Sequence, residues 1–206
     1  MVDSDLLVLD CDEYQRVRSR VANTFDLDAR LPGQVFQENR WDSLFCEFDA
    51  VLAPEFWPAL CELARWHGDE CIDLLVLDPA CEAFYFPEYR MYPAMSLSVE
   101  AGTDDYWSGI GHEPGGDIMG SIAVSADVVA VTGGSGEWGC WGERNPEVAV
   151  FQGFPSTVAR NEWRAQFGPF LEVSGALESY VYPAPAGRTV PDEYAAILTA
   201  NYGSSG

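Results

Sequence analysis

The chain has 206 residues, 48% of them hydrophobic, and a formal net charge of −22 from 33 acidic and 11 basic residues. This hydrophobic content is enough to fill the core of a folded domain and argues against intrinsic disorder. Nucleic-acid binding needs cationic side chains that displace condensed counterions, so the charge argues against a nucleic-acid partner and, for the same reason, against an anionic membrane surface. Every basic residue is an arginine, which excludes lysine chemistry of any kind.

No targeting or membrane segment is predicted. The apolar run near the N-terminus, LLVL at 6–9, is far shorter than the core of a signal peptide. Asp127 interrupts the most apolar stretch, so nothing approaches the roughly 20 apolar residues of a membrane span. We therefore expect a cytoplasmic protein whose six cysteines are reduced.

The N-terminal part predicts two helices and an irregular connection between them. Apolar residues recur at helical spacing over 12–25, at Tyr14, Val17, Val21 and Phe25. Residues 26–39 show no periodicity and contain the turn signal LPGQ, and the sequence leaves open whether this connection is ordered. A second helix is predicted over 54–67, with Pro54 at its first position and Gly68 after its end.

From residue 71 onward the hydrophobic period changes to two, which predicts strands. The turn signals Asp78-Pro79 and Asn145-Pro146 separate short segments, so we expect an antiparallel meander rather than a parallel sheet. Segment 71–77 is predicted to pair with 82–86. The predicted strands are 71–77, 82–86, 94–100, 118–125, 127–132, 137–143 and 147–153.

Two further helices are predicted near the C-terminus. The helix at 157–167 follows Ser156 as N-cap, and the helix at 191–201 begins at Pro191, with Thr189 and Asp192 at the spacing of a capping box. The predicted fold is a single α+β domain spanning 1–206, an antiparallel β-meander sheet of six to eight strands flanked by about four helices on one face or around its rim. Its parts are an N-terminal helix and connection (1–40), a helix with the sheet (41–153), and a helical segment with a flexible tail (154–206).

The glycine-rich stretch 133–144, GGSGEWGCWGER, raises the question of a phosphate-binding loop. Such loops are followed by a helix, and the Walker type also needs a lysine, but here strand-like residues follow and no lysine exists. We therefore interpret the glycines as the turn of a β-hairpin. Because side chains alternate along a strand, Trp138 and Trp141 should point to opposite faces, so at least one belongs to the core and the other is a candidate contact residue.

Candidates for catalysis are few because the chain has only two histidines. A zinc site would have to be assembled without ligand spacing from His67, Asp69, Cys71, Cys81 and His112. Cys71 with His112 as its base is a nucleophile pair without a motif. We expect no metal and no cofactor. Carboxylate pairs drawn from Asp104, Asp105 and Glu113 suit glycoside hydrolysis, so a carbohydrate hydrolase is an alternative function, although the sequence favours a protein that is not an enzyme.

Negative charge is concentrated in the middle of the chain. No arginine occurs between Arg90 and Arg144, whereas eight carboxylates do: Glu100, Asp104, Asp105, Glu113, Asp117, Asp127, Glu137 and Glu143. Residues 100–117 mix acids, aromatic residues and glycines, which predicts an exposed loop where charge steers a cationic partner and aromatic rings anchor it. The predicted partner-binding residues are Asp104, Asp105, Tyr106, Trp107, Glu113, Asp117, Trp138 and Trp141.

The segment 125–151, SADVVAVTGGSGEWGCWGERNPEVAVF, lies downstream of this acidic stretch and resembles the immunity proteins that bacteria encode beside polymorphic toxins. The resemblance implies a single acidic domain that binds and blocks a toxin, often a basic nuclease, and it identifies no site residue. We therefore expect an acidic protein that neutralises a basic protein partner. A structural component of a phage or secretion particle is a further alternative, and the oligomeric state is open.

Overall fold

The protein is built around a six-stranded sheet in which every neighbouring pair of strands is antiparallel, in the order β1-β6-β5-β4-β2-β3. The computed structural model describes residues 7–8, 10–38, 42–179, 181 and 190–203. The strands are β1 (Leu44–Glu47), β2 (Cys71–Asp78), β3 (Ala94–Ser98), β4 (Val128–Gly133), β5 (Gly139–Glu143) and β6 (Val148–Gln152). The predicted α+β class with an antiparallel sheet is confirmed, and β4, β5 and β6 form the expected meander.

Nine α-helices occur in the part of the chain that the structure describes, more than the four predicted. They are α1 (Cys11–Thr24), α2 (Phe48–Val51), α3 (Trp57–Trp66), α4 (Phe86–Tyr89), α5 (Thr103–Ile110), α6 (Ile122–Ser125), α7 (Thr157–Phe167), α8 (Val173–Ser179) and α9 (Asp192–Tyr202). The four predicted helices correspond to α1, α3, α7 and α9. The Ser156 hydroxyl caps α7 by accepting the Ala159 N–H at 3.1 Å, as expected, whereas the predicted cap Thr189 lies outside the described residues.

Helices cover both faces of the sheet, so the prediction that they lie on one face or around the rim was wrong. Every residue of β4, β5 and β6 is buried, and a strand buried along its whole length needs apolar cover on both sides. One face packs against α3, α5 and α7, which contribute Leu60, Tyr106 and Trp163. The other face packs against α1, α8 and α9.

Two predicted strands are helical instead. Segment 82–86 lies in a π-helical turn (Cys81–Tyr85) that runs into α4, and the actual neighbours of β2 are β3 and β4. The buried residues of the π-helical turn, Cys81 and Tyr85, are four positions apart, which is helical spacing. Pro87 in addition suits the start of α4. Segment 118–125 forms a 3₁₀ turn (Ile118–Gly120) followed by α6.

The irregular connection is anchored over residues 26–38. Its apolar residues Leu31, Val35 and Phe36 are buried in the core on the α1 side of the sheet. The Tyr202 hydroxyl of α9 accepts the Val35 N–H at 3.0 Å and donates to the Gly33 carbonyl oxygen at 2.6 Å. This segment therefore closes the core between α1 and α9 without forming a helix or strand.

Candidate functional site

The glycine-rich stretch forms the β4–β5 hairpin, as predicted, and its turn holds a carboxylate of the protein itself. Asp69, which follows α3, accepts the Ser135 N–H at 2.6 Å, the Ser135 hydroxyl at 2.9 Å and the Trp138 indole N–H at 2.8 Å. A Cβ atom at Gly133 would lie only 2.0 Å from Asp69 Oδ2, so glycine is needed for this close approach. Asp69 therefore links the end of α3 to the hairpin turn, and we call this set of hydrogen bonds the hairpin latch.

Trp138 and Trp141 are both fully buried. The expectation that one of them is exposed as a contact residue is therefore corrected. They do point to opposite faces, as alternation requires, but helices and the 26–38 connection cover both faces. Each indole N–H is satisfied internally, Trp138 by Asp69 and Trp141 by Glu143 Oε1 at 2.8 Å. Neither ring is available to another molecule in this fold.

Tyr106 is also a core residue rather than a contact residue. Its ring stacks on Trp57 with centroids 5.1 Å apart, and its hydroxyl donates to the Val51 carbonyl oxygen at 2.6 Å. Burial raises the pKa of the Tyr106 hydroxyl well above its ordinary value. The neighbouring Trp107 lies on the opposite side of α5 and has 47% of its surface exposed.

The predicted acidic loop is largely helical, which corrects the expectation of an irregular segment. We define the acidic segment as residues 103–125, comprising α5, two 3₁₀ turns and α6 between β3 and β4. The Asp105 carboxylate accepts the Gly102 N–H at 2.8 Å and so caps α5. Asp117 accepts the Met119 N–H at 3.0 Å and the Tyr89 hydroxyl at 3.1 Å. These two acids therefore shape the segment as well as charging it.

Exposed apolar residues that the sequence analysis missed lie in the same segment. Ile118 and Met119 are 55% and 53% exposed, and Val124 is 41% exposed. Together with Trp107 they make up four of the seven large apolar side chains that are exposed in the described residues. Segment 118–125 was predicted as a strand, and it instead forms a 3₁₀ turn and α6. Large apolar side chains gathered among acids are typical of a protein-interaction surface.

The eight carboxylates between Arg90 and Arg144 are not equivalent. Glu143 is buried beneath the 26–38 connection, where its Oε1 also accepts the Leu31 N–H at 2.8 Å. Burial raises the pKa of the Glu143 carboxyl. Asp127 lies 3.5 Å from Arg144, which is also 3.0 Å from Asp49. The acidic segment itself carries Asp104, Asp105, Glu113 and Asp117, all of them exposed.

The arginines lie on both sides of the sheet, and Arg65 of α3 and Arg160 and Arg164 of α7 lie on the same face as α5. Four of them lie on the face opposite the acidic segment: Arg16, Arg18 and Arg20 of α1, and Arg30 of the connection. Arg65 and Arg144 lie at the two ends of the segment, where they donate to the carbonyl oxygens of Val99 and Ala123. The four carboxylates between these ends have no arginine near them in sequence.

A cleft of about 460 Å³ lies beside the latch and contains the other notable acids. Asp73 is almost fully buried and receives two hydrogen bonds from Arg20, at 2.5 and 2.8 Å. Asp69 is engaged by the hairpin turn. Asp69 and Asp73 therefore already accept strong hydrogen bonds, and Glu70 is the one other carboxylate that lines the cleft.

The sequence named several histidine and cysteine side chains as candidates for catalysis or metal binding. His67 ends α3, and its Nε2 lies 2.6 Å from the Gly153 carbonyl oxygen. All six cysteines are free, and burial raises the pKa of Cys61 and of Cys81 to about 11 each. In the described part of the chain, no three His, Cys, Asp or Glu side chains converge in a way that could hold a metal ion.

The surface that stands out is therefore the acidic segment, with Trp107 as its exposed aromatic residue. Among the described residues, no helix is both long and apolar enough to cross a membrane. The chain matches no known family model, no curated protein and no solved structure.

Proposed function

We propose that the protein is an acidic binding protein that neutralises a cationic protein partner, as an immunity protein neutralises a toxin such as a basic nuclease. The acidic segment is the contact surface. The observation that carries this proposal is the exposure of Trp107, Ile118 and Met119 among four exposed carboxylates on one 23-residue excursion (103–125) from the sheet. The carboxylates take the place of the phosphate charge that a nuclease recognises.

The distribution of charge supports a directed encounter with such a partner. The net charge of −22 attracts any cation, and arginines occur on both faces of the sheet. Within the acidic segment, however, four exposed carboxylates occur without an arginine among them. A one-signed field of this kind speeds association with a positively charged surface and opposes contact with nucleic acid.

The exposed apolar side chains of the acidic segment can add the binding affinity that exposed charges alone do not provide. Exposed ion pairs contribute little affinity, about 0–1 kcal/mol each, because water and salt screen them. A stable inhibitory complex also needs desolvated anchors, and aromatic residues are enriched among these. Trp107, Ile118 and Met119 provide such anchors beside the carboxylates, so the partner surface should be basic with apolar contacts within it.

The test is the salt dependence of association. The partner is first captured from cells that make the protein natively, and its association rate with the protein is then measured by stopped flow over a range of ionic strength. Replacing Asp104, Asp105, Glu113 and Asp117 by their amides (the four-carboxylate variant) should lower the rate about ten-fold at low salt and flatten its salt dependence. The amide side chains retain oxygen acceptors for the caps of α5 and the following turn.

A variant with the same loss of charge elsewhere provides the control. Glu162, Glu178, Asp192 and Glu193 are exposed on the C-terminal helices, and their amide substitutions form the distal control variant. If the acidic segment is the contact surface, the distal control variant keeps most of the rate and salt slope. Equal effects of the two variants would show that only net charge matters and would refute the proposed surface.

A further inference from the structure

We infer that Trp107 and Asp104 together form the receptor for an arginine side chain of the partner. This inference rests on the proposed function and names the group that the acidic segment recognises. The guanidinium would stack on the indole ring of Trp107 while the Asp104 carboxylate neutralises its charge.

The exposure of Trp107 is unusual within this protein. Of the six tryptophans that the structure describes, four are buried and Trp66 is half-buried against the core, whereas Trp107 has 47% of its surface exposed. The fold does not need this ring for its core, because Tyr106 on the other side of α5 already packs against Trp57. The indole is therefore free to contact another molecule.

Gly111 gives the indole a support. A Cβ atom at residue 111 would lie 3.2 and 3.3 Å from Trp107 Cε2 and Cζ2, closer than ordinary packing allows. The absence of a side chain at Gly111 therefore lets the ring lie against the backbone at the end of α5. A ring supported in this way loses little conformational freedom when a partner side chain stacks on it.

Asp104 precedes Trp107 by three positions in α5. Residues three apart in a helix have Cβ atoms about 5–6 Å from each other, and both positions fall within α5. Asp104 is exposed, and unlike Asp105 it is not the carboxylate that caps the helix. An aromatic ring and a carboxylate at this spacing match the two features of a guanidinium, its flat face and its positive charge.

Arginine fits this receptor better than lysine. The guanidinium is planar and weakly hydrated, so it stacks on an aromatic ring at a smaller desolvation cost than the compact ammonium of lysine. Arginine is also the more frequent partner in cation–π contacts, and tryptophan is the best ring for them. The acidic segment, which attracts a cation, thus also contains a site that favours arginine over lysine.

The experiment compares hexa-arginine and hexa-lysine peptides on the full chain by isothermal titration calorimetry. The side-chain N–H resonance of Trp107, assigned by its loss in Trp107→Phe, reports contact with the ring. In Trp107→Leu the affinity for hexa-arginine should fall about three- to thirty-fold, and in Trp107→Phe by an intermediate factor, because phenylalanine has the weaker cation–π attraction. Asp104→Asn should weaken both peptides, and hexa-lysine should depend less on residue 107.

Each outcome separates this inference from the proposed function. If Trp107→Leu binds hexa-arginine as tightly as the unsubstituted protein, or if Phe and Leu weaken it equally, the arginine receptor is refuted. A wild-type Trp107 resonance that responds equally to both peptides refutes the selectivity for arginine without relying on any variant. If the arginine receptor is refuted but the four-carboxylate variant still binds hexa-arginine more weakly than the distal control variant, the proposed contact surface is still supported. If these two variants bind hexa-arginine equally well, both the arginine receptor and the proposed contact surface are refuted.

Discussion

Removing the carboxylate of the hairpin latch should destabilise the fold measurably. In Asp69→Ala the Trp138 indole N–H loses its acceptor inside the core, which costs about 1–3 kcal/mol for a buried donor. The N–H and hydroxyl of Ser135 lose their acceptor too, but this serine is exposed and water replaces part of the loss. We expect a total of about 2–4 kcal/mol, a large share of the 5–15 kcal/mol typical of a domain.

Urea denaturation followed by tryptophan fluorescence gives the free energy of unfolding, and amide hydrogen exchange over 133–138 reports the turn directly. Glu70→Ala is the matched control, because it removes the same charge from the neighbouring exposed residue. Asp69→Ala should lower the urea midpoint and the protection of the turn, while Glu70→Ala leaves both nearly unchanged. If the two variants unfold within about 0.5 kcal/mol of each other, the latch does not contribute as we reason.

Two further predictions concern buried carboxylates. Burial raises the pKa of Glu143, so its contribution to stability is fully present below the ordinary carboxyl pKa and is lost as pH rises through the raised folded value. Glu143→Gln keeps an oxygen acceptor and should flatten that loss in urea titrations from pH 4 to 8, whereas Glu143→Leu strands both N–H donors and costs about 2–6 kcal/mol at any pH. Arg20→Met leaves the carboxylate of Asp73 buried without its cation and should cost about 2–4 kcal/mol in thermal unfolding, against almost no change for the exposed Arg16→Met. A pH profile of Glu143→Gln parallel to that of the unsubstituted protein, or equal melting of the two arginine variants, contradicts these accounts.

The helices that the sequence predicted best are those whose ends carry local signals. Helix α7 begins after Ser156 and ends before Gly168, as predicted, because a hydroxyl cap and a terminal glycine act within a few residues. The strands from 127 to 153 were also placed within one or two residues, since alternation and turn signals are local as well. In contrast, 82–86 is too short for its helical spacing to outweigh its aromatic, strand-like composition, and that prediction was wrong.

The carboxylates predicted for the acidic segment are exposed, but of the four aromatic residues predicted for the site only Trp107 is exposed. Exposure of Asp104, Glu113 and their neighbours follows from the cost of burying a charge, which is a property of the residue itself. Burial of a tryptophan depends on which distant segments cover it, and Trp138 and Trp141 are covered by residues far away in the chain. Trp107 and Tyr106 are adjacent and chemically similar, and only the packing of α5 against α3 decides that one is exposed and the other buried.

The exposure of a charge in the folded chain depends on distant contacts in the same way. Asp127 and Glu143 looked uncompensated along the chain, yet folding pairs one with Arg144 and buries the other. Glu143 is thereby removed from the surface, and the nearby Arg144 offsets part of the charge of Asp127. Folding also carries α1, with three of the eleven arginines, to the face of the sheet that the acidic segment does not cover. Arg65, Arg160 and Arg164 lie on the face that the acidic segment shares, so the two charges are not separated between the faces. Folding, and not spacing along the chain, therefore decides which acids stay exposed, and the four of the acidic segment do so in the same segment as the exposed Trp107.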